Sequence, residues 1–463
     1  MITTIQTFNP ATGLELAEYK SFDSSQIDAS IAFAHDAFRA WSATDLAARC
    51  KGVTALGGIL RTQREELARL ITTEMGKPYF EALAELDKCI VNCDYYVEAA
   101  PRFIAPDTVE TSAELSQIVY EPLGVIYAVM PWNFPFWQLF RFAVPAILAG
   151  NAVLLKHSPN VTGCALAIEK VFADAGLPAG LLCTLVVHDA EVGDVSDRIL
   201  NDPRVAAATL TGSTRAGSAV AAGAGRALKK TVLELGGSDP FVVLADADLP
   251  AAAKAAAASR FLCTGQVCIA AKRIIVHKDI AGTFQALFLD AVRALTIGDP
   301  MRAGTTLGPM ARADLLDTIE RQVNASVEAG AQVLLAGGRT EHDGWFFKPT
   351  VLTGVHRDMA VYAEETFGPV AIILPAEDDD DAVRIANDTE YGLGASVWSK
   401  DRQRALELAK RIESGALFIN AVVDSDPRLP FGGIKRSGYG RELGAAGIRE
   451  FTNMRTVWVA PNP

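Results

Sequence analysis

Hydrophobic positions recur at helical spacing near the start of the chain and then fall into shorter runs. Apolar residues that return once per helical turn predict helices over Ser24–Trp41, Ala47–Glu74 and Tyr79–Glu98. A turn is predicted before them at Asn9–Gly13, where Asn, Pro and Gly cluster. Further along, the apolar run Gly124–Met130 predicts a buried strand. The N-terminal part is therefore predicted to be mostly helical, and a sheet to follow it.

Strands and helices then alternate toward the C-terminus. The predicted strands are Ala152–Leu155, Leu182–Val187, Val205–Leu210, Thr231–Leu235, Arg273–Val276 and Val370–Leu374, and the predicted helices are Trp137–Leu148, Val192–Leu200, Arg215–Arg226, Ala251–Cys263 and Leu315–Ala329. Such alternation predicts βαβ units with parallel sheets, which is the α/β fold class. A seam near Leu235–Pro240 separates two α/β domains. The apolar run Thr456–Val459 predicts an edge strand of the kind that pairs with another subunit.

Composition and charge narrow the classes of partner. The chain has 463 residues, of which 50% are hydrophobic, and 43 Lys and Arg stand against 55 Asp and Glu, so the formal net charge is −12. An acidic chain of this kind is a poor general binder of nucleic acids or anionic membranes. The longest apolar candidate, Phe142–Leu155, is too short to cross a bilayer, and no secretory leader is visible. We expect neither a nucleic acid nor a membrane as a partner.

The cysteines and histidines indicate a compartment and argue against a metal site. Seven cysteines at irregular spacing do not form a disulfide framework, so the reducing cytoplasm is the expected location. Cys89 and Cys93 lie in a predicted helix without a second ligand pair, and we interpret them as packing residues. No metal is expected.

Three features could carry chemistry before any resemblance is considered. Gly212–Gly217 follows a predicted strand and opens a helix, where backbone N–H groups can bind phosphate, although a plain strand–helix turn has the same pattern. Cys268 follows a glycine-containing turn and precedes Lys272 and Arg273, whose charges favour a thiolate, although most single cysteines only pack. Glu234 is a lone carboxylate at a strand end, where α/β folds place their sites. Together they indicate a phosphate-containing cofactor, a cysteine nucleophile and a glutamate base.

Seven short motifs give the chain a resemblance to a known family. They are Pro131–Pro135, Leu155-Lys156, Thr211–Ser213, Glu234–Gly237, Gly265–Cys268, Glu365–Pro369 and Pro430–Gly438. In these motifs and their order the chain resembles the aldehyde dehydrogenase superfamily nearly end to end. It is most similar to the bacterial NAD(P)-dependent succinate-semialdehyde dehydrogenases of the shorter type, through the stretches Trp132–Arg141, Lys156–Val161 and Glu234–Phe241.

The resemblance implies an architecture of three parts. A Rossmann-like cofactor domain is expected over residues 1–104 and 123–235, and an α/β catalytic domain over 236–432. A small oligomerisation element is expected over 105–122 and 445–463. A homodimer or homotetramer follows from the resemblance.

The resemblance also implies a mechanism. Cys268, as a thiolate, attacks the aldehyde carbon. The side-chain amide of Asn133 and the backbone N–H of Cys268 hold the oxyanion, a contribution of about 3–4 kcal/mol for each donor. Glu234 activates the water that releases a free acid.

Cofactor contacts are implied residue by residue. The expected cofactor-binding residues are Trp132, Lys156, His157, Ser158, Pro159, Gly212, Ser213, Leu235, Glu365 and Phe367. Pro159 stands where strongly NAD-selective members carry a glutamate that binds the ribose hydroxyls. Since that carboxylate would repel a 2′-phosphate and is missing here, we expect NADP to be accepted alongside NAD.

Arg141 is the expected substrate-binding residue. A guanidinium suits a bidentate grip on a carboxylate, although a structural arginine is the alternative. Leu262 stands where some succinate-semialdehyde enzymes carry a second arginine, which weakens the assignment of the substrate. Phe142 replaces a lysine of a proposed proton relay, whose usual partner matches Glu442. Cys263 is interpreted as a packing residue, with a redox partner of Cys268 as the alternative.

The predicted function is oxidation of succinate semialdehyde, a small-molecule aldehyde, to succinate with NAD or NADP. Another short or medium-chain aliphatic aldehyde is the alternative substrate. A non-catalytic binding protein on the same scaffold is disfavoured, because packing requires none of Cys268, Glu234 and Asn133.

Overall fold

The computed structural model describes residues 3–461, and its N-terminal part is a hairpin followed by three long helices. These elements are β1 (Thr4–Phe8), β2 (Glu15–Lys20), α1 (Ser24–Ser42), α2 (Leu46–Met75) and α3 (Tyr79–Phe103). The three predicted helices are confirmed, and the predicted turn at Asn9–Gly13 joins β1 to β2. The hairpin itself is missing from the prediction because most residues of β2 face solvent and lack an apolar alternation.

Asp residues and one glycine fix the ends of the first helices. Asp23 caps α1 in a capping box with Gln26, and Asp45 accepts the backbone N–H of Ala48 at the start of α2. Gly76 ends α2 in the left-handed conformation with φ of 85°. The chain therefore turns sharply between α2 and α3, and this turn carries Lys77 into the protein core.

A six-stranded sheet follows. The elements of this part of the chain are β3 (Asp107–Thr108), β4 (Leu115–Pro122), β5 (Val125–Met130), α4 (Trp137–Leu148), β6 (Ala152–His157), α5 (Thr162–Asp174), β7 (Leu182–Thr184), α6 (Val192–Asn201), β8 (Val205–Thr211), α7 (Thr214–Arg226) and β9 (Lys230–Glu234). Strands β3 and β4 lie outside the six-stranded sheet. Strands β9, β8, β5, β6 and β7 are parallel neighbours in that order. The strand predicted over Leu182–Val187 ends earlier, at Thr184, because only its first three residues pair with β6.

A second sheet of seven strands occupies the middle of the chain. The elements of this part of the chain are β10 (Asp239–Val243), α8 (Leu249–Phe261), β11 (Ala271–His277), α9 (Lys278–Arg293), α10 (Ala313–Glu328), β12 (Gln332–Leu335), β13 (Gly338–Arg339), β14 (Phe347–Lys348), β15 (Thr350–Thr353), α11 (Ala360–Ala363), β16 (Val370–Ala376), α12 (Asp379–Asn387), β17 (Gly394–Trp398), α13 (Arg402–Ala409) and β18 (Ala416–Ile419). Strands β13 and β14 form a separate two-stranded sheet. The order of the seven-stranded sheet is β12-β15-β16-β11-β10-β17-β18, parallel except for β12. The predicted α/β class with parallel sheets is therefore confirmed.

The chain ends by returning to the earlier parts of the fold. The last elements are β19 (Gly438–Tyr439), α14 (Gly444–Glu450) and β20 (Thr452–Val459). Strand β19 pairs antiparallel with β9 beside Glu234, so it closes one edge of the six-stranded sheet. Strand β20 pairs along its whole length with β4 in a three-stranded sheet, β20-β4-β3. The predicted C-terminal edge strand therefore exists and has its first partner within the chain.

Candidate active site

The loop that carries Cys268 lies between α8 and β11 and has an unusual backbone. Cys263, Thr264 and Gly265 adopt positive φ angles of 51°, 55° and 73°. At Gly265 a side chain is excluded, because a Cβ would lie 2.3 Å from the carbonyl oxygen of Gly368. The helix predicted over Ala251–Cys263 therefore ends at Phe261, where the chain enters this left-handed turn.

Hydrogen bonds from Gln266 hold the loop in place. Its amide nitrogen donates to the carbonyl of Cys263 at 3.1 Å, and its amide oxygen accepts the N–H of Ala311 at 3.0 Å. Gln266 is fully buried, and these bonds satisfy its side chain. The loop is thus fixed from within before any ligand binds.

Cys268 itself is a partly exposed thiol in an electropositive setting. The Lys272 ammonium donates to the Cys268 carbonyl at 2.8 Å and to the Gly237 carbonyl at 2.7 Å. Burial raises the pKa of the Cys268 thiol to about 11, although Lys272 and Arg141 act in the opposite direction. The charge of Lys272 lowers the pKa of the thiol as expected, but burial raises it by more. Arg273 gives none, because it turns away to the carbonyls of Ser238, Ile385 and Ala386.

The raised pKa of Cys268 predicts alkaline activation of the thiol. Since the pKa is about 11, the thiolate fraction of the free protein should increase about tenfold per pH unit between pH 7 and pH 9. The second-order rate of alkylation by iodoacetamide should increase in the same proportion. The variant Cys268→Ala reports the background from Cys50, the other partly exposed cysteine. A rate that is already flat above pH 7 would contradict the prediction.

Asn133 lies in the segment between β5 and α4, and its side chain contacts the loop that carries Cys268. Its amide nitrogen donates to the carbonyl of Gln266 at 2.9 Å, and its amide oxygen is buried without a hydrogen-bond partner among residues 3–461. Asn133 and Cys268 line the same cavity. The structure therefore brings the predicted oxyanion donor and the predicted nucleophile together.

Glu234 lies at the end of β9 and is buried, but it does not line a cavity with Cys268. Both carboxylate oxygens lack a hydrogen-bond partner within residues 3–461. One oxygen faces Gly432, where an added Cβ would lie 2.7 Å away. Burial, and then the charge of Glu442, raises the pKa of Glu234 well above its usual range. The predicted base is therefore a buried carboxyl group whose surroundings favour its neutral form.

Arg141 has an internal partner. It is buried in α4 and forms an ion pair with Glu442, although its Nε is not aligned for a hydrogen bond. Nη2 lies 3.4 Å from the hydroxyl of Thr211, and the guanidinium lies 4.7 Å from the centroid of the Phe431 ring. The neighbouring Phe142 packs against Phe451 instead. Sequence patterns did not reveal the ion pair, because its partners are far apart in the chain.

Two cavities meet at Cys268. The first has a volume of about 410 Å³ and a mostly apolar wall that includes Phe134, Trp137 and Phe431. Its charged lining residues are Glu81, Glu85, Lys88, Arg141 and Asp424. The second has a volume of about 440 Å³. It is lined by nine of the predicted cofactor residues, namely Trp132, Lys156, Ser158, Pro159, Gly212, Ser213, Leu235, Glu365 and Phe367. A thiol between an apolar pocket and a polar pocket can react with a molecule held in either.

His157 is the predicted cofactor residue that does not line the second cavity. Its ring is buried, with Nε2 at 2.9 Å from the carbonyl of Pro135 and Nδ1 accepting the N–H of Ser158 at 2.9 Å. Burial lowers its pKa to about 4, so the ring is neutral and donates through Nε2. His157 thus ties the end of β6 to the Asn133 segment.

The comparison with known proteins decides the family. Residues 2–457 match the sequence profile of the aldehyde dehydrogenase family. The chain belongs to the aldehyde dehydrogenase family. Two relatives are similar over nearly the whole length. One is the Escherichia coli protein named succinate semialdehyde dehydrogenase NAD(P)+ Sad, 47% identical over 452 residues that cover 98% of this chain and 97% of the relative. The other is named probable succinate-semialdehyde dehydrogenase NADP(+), from Synechocystis, 45% identical over 456 residues that cover 98% and 100%.

Solved structures confirm the aldehyde dehydrogenase fold. A structure of Gox0499, described for its cofactor and substrate selection, has a TM-score of 0.96 and 42% identity, and the match covers 99% of this chain and 100% of that one. The succinic semialdehyde dehydrogenase of Streptococcus pyogenes, solved with NADP+ as the cofactor, has a TM-score of 0.95 and 35% identity, with 99% and 100% covered.

The second cavity fits the dinucleotide that the aldehyde dehydrogenase family implies. Helix α7 starts at this cavity, and Gly212, Ser213 and Arg215 around its start line the cavity wall. A helix N-terminus attracts phosphate. Lys156, Arg215 and Arg312 add positive charge to the same wall. The donor set therefore suits a pyrophosphate and a further phosphate on the ribose.

Several cavity residues were missing from the sequence prediction. Asp189 brings a carboxylate to the cofactor cavity near Lys156, and the sequence patterns, which show only the missing carboxylate at Pro159, do not predict it. In the apolar cavity, Lys88 forms an ion pair with Asp424 at 2.6 Å and lies 4.8 Å over the Trp137 ring. These contacts join residues that are far apart in the sequence, and no short motif indicates them.

The remaining expectations concern a membrane span, a metal site and Cys263. No helix among residues 3–461 combines the length and the apolar character that a membrane crossing requires. Within the same residues, no three His, Cys, Asp or Glu side chains are grouped so that they could hold a metal ion. Cys263 is a buried free thiol, with Sγ 3.6 Å from the carbonyl of Asn133.

Proposed function

We propose that this aldehyde dehydrogenase oxidises succinate semialdehyde to succinate with NAD(P)+. The observation that carries the proposal is Cys268 at the junction of an apolar cavity containing Arg141 and a polar cavity suited to a dinucleotide. The names of the E. coli and Synechocystis relatives support the substrate. A four-carbon semialdehyde has an aldehyde for the thiol and a carboxylate for a guanidinium.

Cys268 and Asn133 perform the first stage. The Cys268 sulfur adds to the aldehyde carbon as its proton leaves, and the resulting oxyanion needs donors. The Asn133 amide nitrogen donates one N–H to the Gln266 carbonyl, and its second N–H is available for the oxyanion. A nicotinamide cofactor held in the second cavity would supply the acceptor for the hydride that leaves the substrate carbon. Cys268 then holds the acyl group as a thioester.

Glu234 performs the second stage. Hydrolysis of the thioester consumes one water, returns the thiol and releases the carboxylic acid. Glu234 must turn from Gly432 toward the sulfur to accept a proton from that water. Its raised pKa makes it a stronger base once it ionises. The complete reaction takes aldehyde, water and NAD(P)+ to acid, NAD(P)H and a proton.

We propose that both cofactors are accepted and that NADP is bound well. Lys156 and Arg215 line the cofactor cavity, as do Ser158 and Pro159. These cations compensate Asp189, so the wall keeps an excess of positive charge for a 2′-phosphate. The relatives named for NADP(+) and NAD(P)+ support this assignment.

Initial rates of NAD(P)H formation test the substrate. We expect kcat/KM for succinate semialdehyde to exceed that for butanal by about tenfold or more, which corresponds to about 1.4 kcal/mol of carboxylate recognition. Butanal is the matched control because it has the same chain length without the charge. Each aldehyde is measured with NAD+ and with NADP+. Equal kcat/KM values for the two aldehydes would reject succinate semialdehyde and keep the dehydrogenase.

A second candidate substrate is another short or medium-chain aliphatic aldehyde. The observation in its favour is that Arg141 already has Glu442 as a partner, in a cavity whose wall is mostly apolar. Leu262 adds to that apolar wall. A kcat/KM that increases with the length of an uncharged aldehyde would favour this candidate.

We propose the same division of the chain as the sequence predicts, and assembly through its smallest part. The ranges are 1–104 with 123–235 for the cofactor, 236–432 for catalysis, and 105–122 with 445–463 for assembly; residues 1–2 and 462–463 lie outside the described part. Met454 and Trp458 on β20 are exposed apolar side chains, which support a homodimer or homotetramer. The molar mass in solution tests this. All seven cysteines are free, which supports the cytoplasm as location, and fractionation tests it.

A further inference from the structure

A buried ion pair lies beside the apolar cavity, whose lining includes Glu85, and has no part in the reaction as described so far. The Lys77 ammonium, in the turn between α2 and α3, lies 2.6 Å from the carboxylate of Glu85, and both side chains are fully buried. The ammonium also lies 3.6 Å from the centroid of the Phe134 ring. A buried ion pair costs desolvation and is weak evidence for stability by itself. Glu85, however, also accepts hydrogen bonds from backbone N–H groups.

Glu85 holds the segment that carries Asn133. Its second carboxylate oxygen accepts the backbone N–H of Phe136 at 2.8 Å and of Trp137 at 3.0 Å. These N–H groups begin α4, where no intrahelical acceptor exists for them. Phe134, beside Asn133, packs on Lys77. The ion pair thus fixes the chain on the C-terminal side of Asn133.

Glu81 holds the loop that carries Cys268. It lies one turn before Glu85 on α3, and its carboxylate accepts the backbone N–H of Cys263 at 3.0 Å. That residue has a left-handed backbone, and its sulfur lies 3.6 Å from the carbonyl of Asn133. One face of α3 therefore contacts both loops that supply the oxyanion site.

We propose that Lys77, Glu81 and Glu85 are positioning residues that hold the Asn133 amide and the Cys268 loop in register for the oxyanion. Glu85 fixes the Asn133 segment, Glu81 fixes the left-handed turn, and Lys77 keeps the Glu85 carboxylate oriented toward α4. The inference rests on the proposed aldehyde oxidation. A small displacement of an oxyanion donor lowers rate strongly and leaves ground-state binding nearly unchanged.

Two double variants isolate the contact between Glu85 and α4. Lys77→Met with Glu85→Gln removes the charges and keeps an oxygen acceptor for the two N–H groups. Lys77→Met with Glu85→Leu removes the charges and the acceptor, with similar side-chain volume. We expect the first to keep kcat within about threefold of wild type and the second to lose about tenfold or more, with KM changed less than about twofold in both.

Glu74 provides the matched control. It is as buried as Glu85, and its carboxylate accepts the N–H groups of Gly163 and Cys164 at the start of α5, away from both cavities. Glu74→Leu should lower Tm and leave kcat within about twofold of wild type. Equal kcat in the two double variants, or an equal loss in Glu74→Leu, would overturn the positioning role.

Alkylation of Cys268 separates this inference from the proposed function. Iodoacetamide reacts with Cys268 without an aldehyde. The alkylation rate therefore depends on the conformation of the Cys268 loop, whichever aldehyde is the substrate. We expect Glu81→Leu to change the alkylation rate about threefold or more, and Glu81→Gln, which keeps an acceptor for the Cys263 N–H, to leave it unchanged. Identical rates for the two variants would overturn the role of Glu81. Absence of wild-type turnover with every aldehyde would overturn only the proposed function.

Discussion

Replacing Glu234 by glutamine is expected to stop turnover while one round of NAD(P)H formation remains. Glutamine keeps the size of the side chain, which is buried beside Gly432 without a hydrogen-bond partner among residues 3–461. It cannot accept the proton of the hydrolytic water, so the thioester on Cys268 accumulates. Loss of a general base typically costs about 10²–10⁴-fold in rate, and kcat should fall by that factor. Stopped-flow absorbance should show a burst close to one equivalent per active site.

The pH profile provides the control for this variant. The pKa of Glu234 is raised by burial and by Glu442, so wild-type hydrolysis should increase with pH as this carboxyl group ionises. Glu234→Gln should lose that dependence in the step after the burst. A variant that turns over within tenfold of wild type would remove Glu234 from hydrolysis. A variant without any burst would assign it to the first stage instead.

Replacing Arg141 by methionine is expected to reduce kcat/KM for succinate semialdehyde by about 10²–10³-fold and that for butanal much less. A charge-assisted contact to the substrate carboxylate disappears, and only the charged substrate uses it. The variant also leaves the Glu442 carboxylate buried without its partner. Breaking a buried ion pair typically costs about 3–5 kcal/mol, so Tm should fall as well. Rates are therefore compared below the Tm of the variant.

A double variant separates substrate binding from stability. Arg141→Met with Glu442→Gln removes both charges of the pair, which should recover much of the lost stability. If Arg141 binds the substrate carboxylate, the preference for succinate semialdehyde over butanal stays lost in the double variant. Recovery of the wild-type preference would show that Arg141 acts through Glu442 alone. Arg141→Lys keeps a charge but not the planar guanidinium, and it should recover the preference only in part.

Local patterns predict the elements of this fold well where they are strongly periodic. The amphipathic helix predicted over Ser24–Trp41 is found at Ser24–Ser42, because its apolar residues return once per turn on one buried face. The β1–β2 hairpin has mostly exposed residues and gave no signal. The left-handed turn at Cys263 overrides a helical pattern that continues past Phe261.

The sequence also predicts some residues of the candidate site and misses others. Motifs identify residues whose chemistry is local, such as Cys268 and Asn133, and these meet at one cavity. They do not reveal partners from distant segments, so the Glu442 contact of Arg141 and the contacts of Glu81 with the Cys263 loop needed the structure. His157 lies in a motif but faces Pro135, because a motif does not fix the direction of each side chain.

The return of the chain to β9 makes the order of synthesis matter. Residues from Phe431 to Glu442 reach the ribosome exit last among those near Glu234, and they supply both the Gly432 contact and the strand that covers the sheet edge. A nascent chain that stops before them has Cys268 and Asn133. It lacks Phe431, whose ring packs against Arg141, and Glu442, which forms the ion pair with Arg141. The surroundings of Glu234 therefore depend on one of the last segments of the chain to be synthesised, and a chain that ends before it lacks the groups that enclose this carboxyl group.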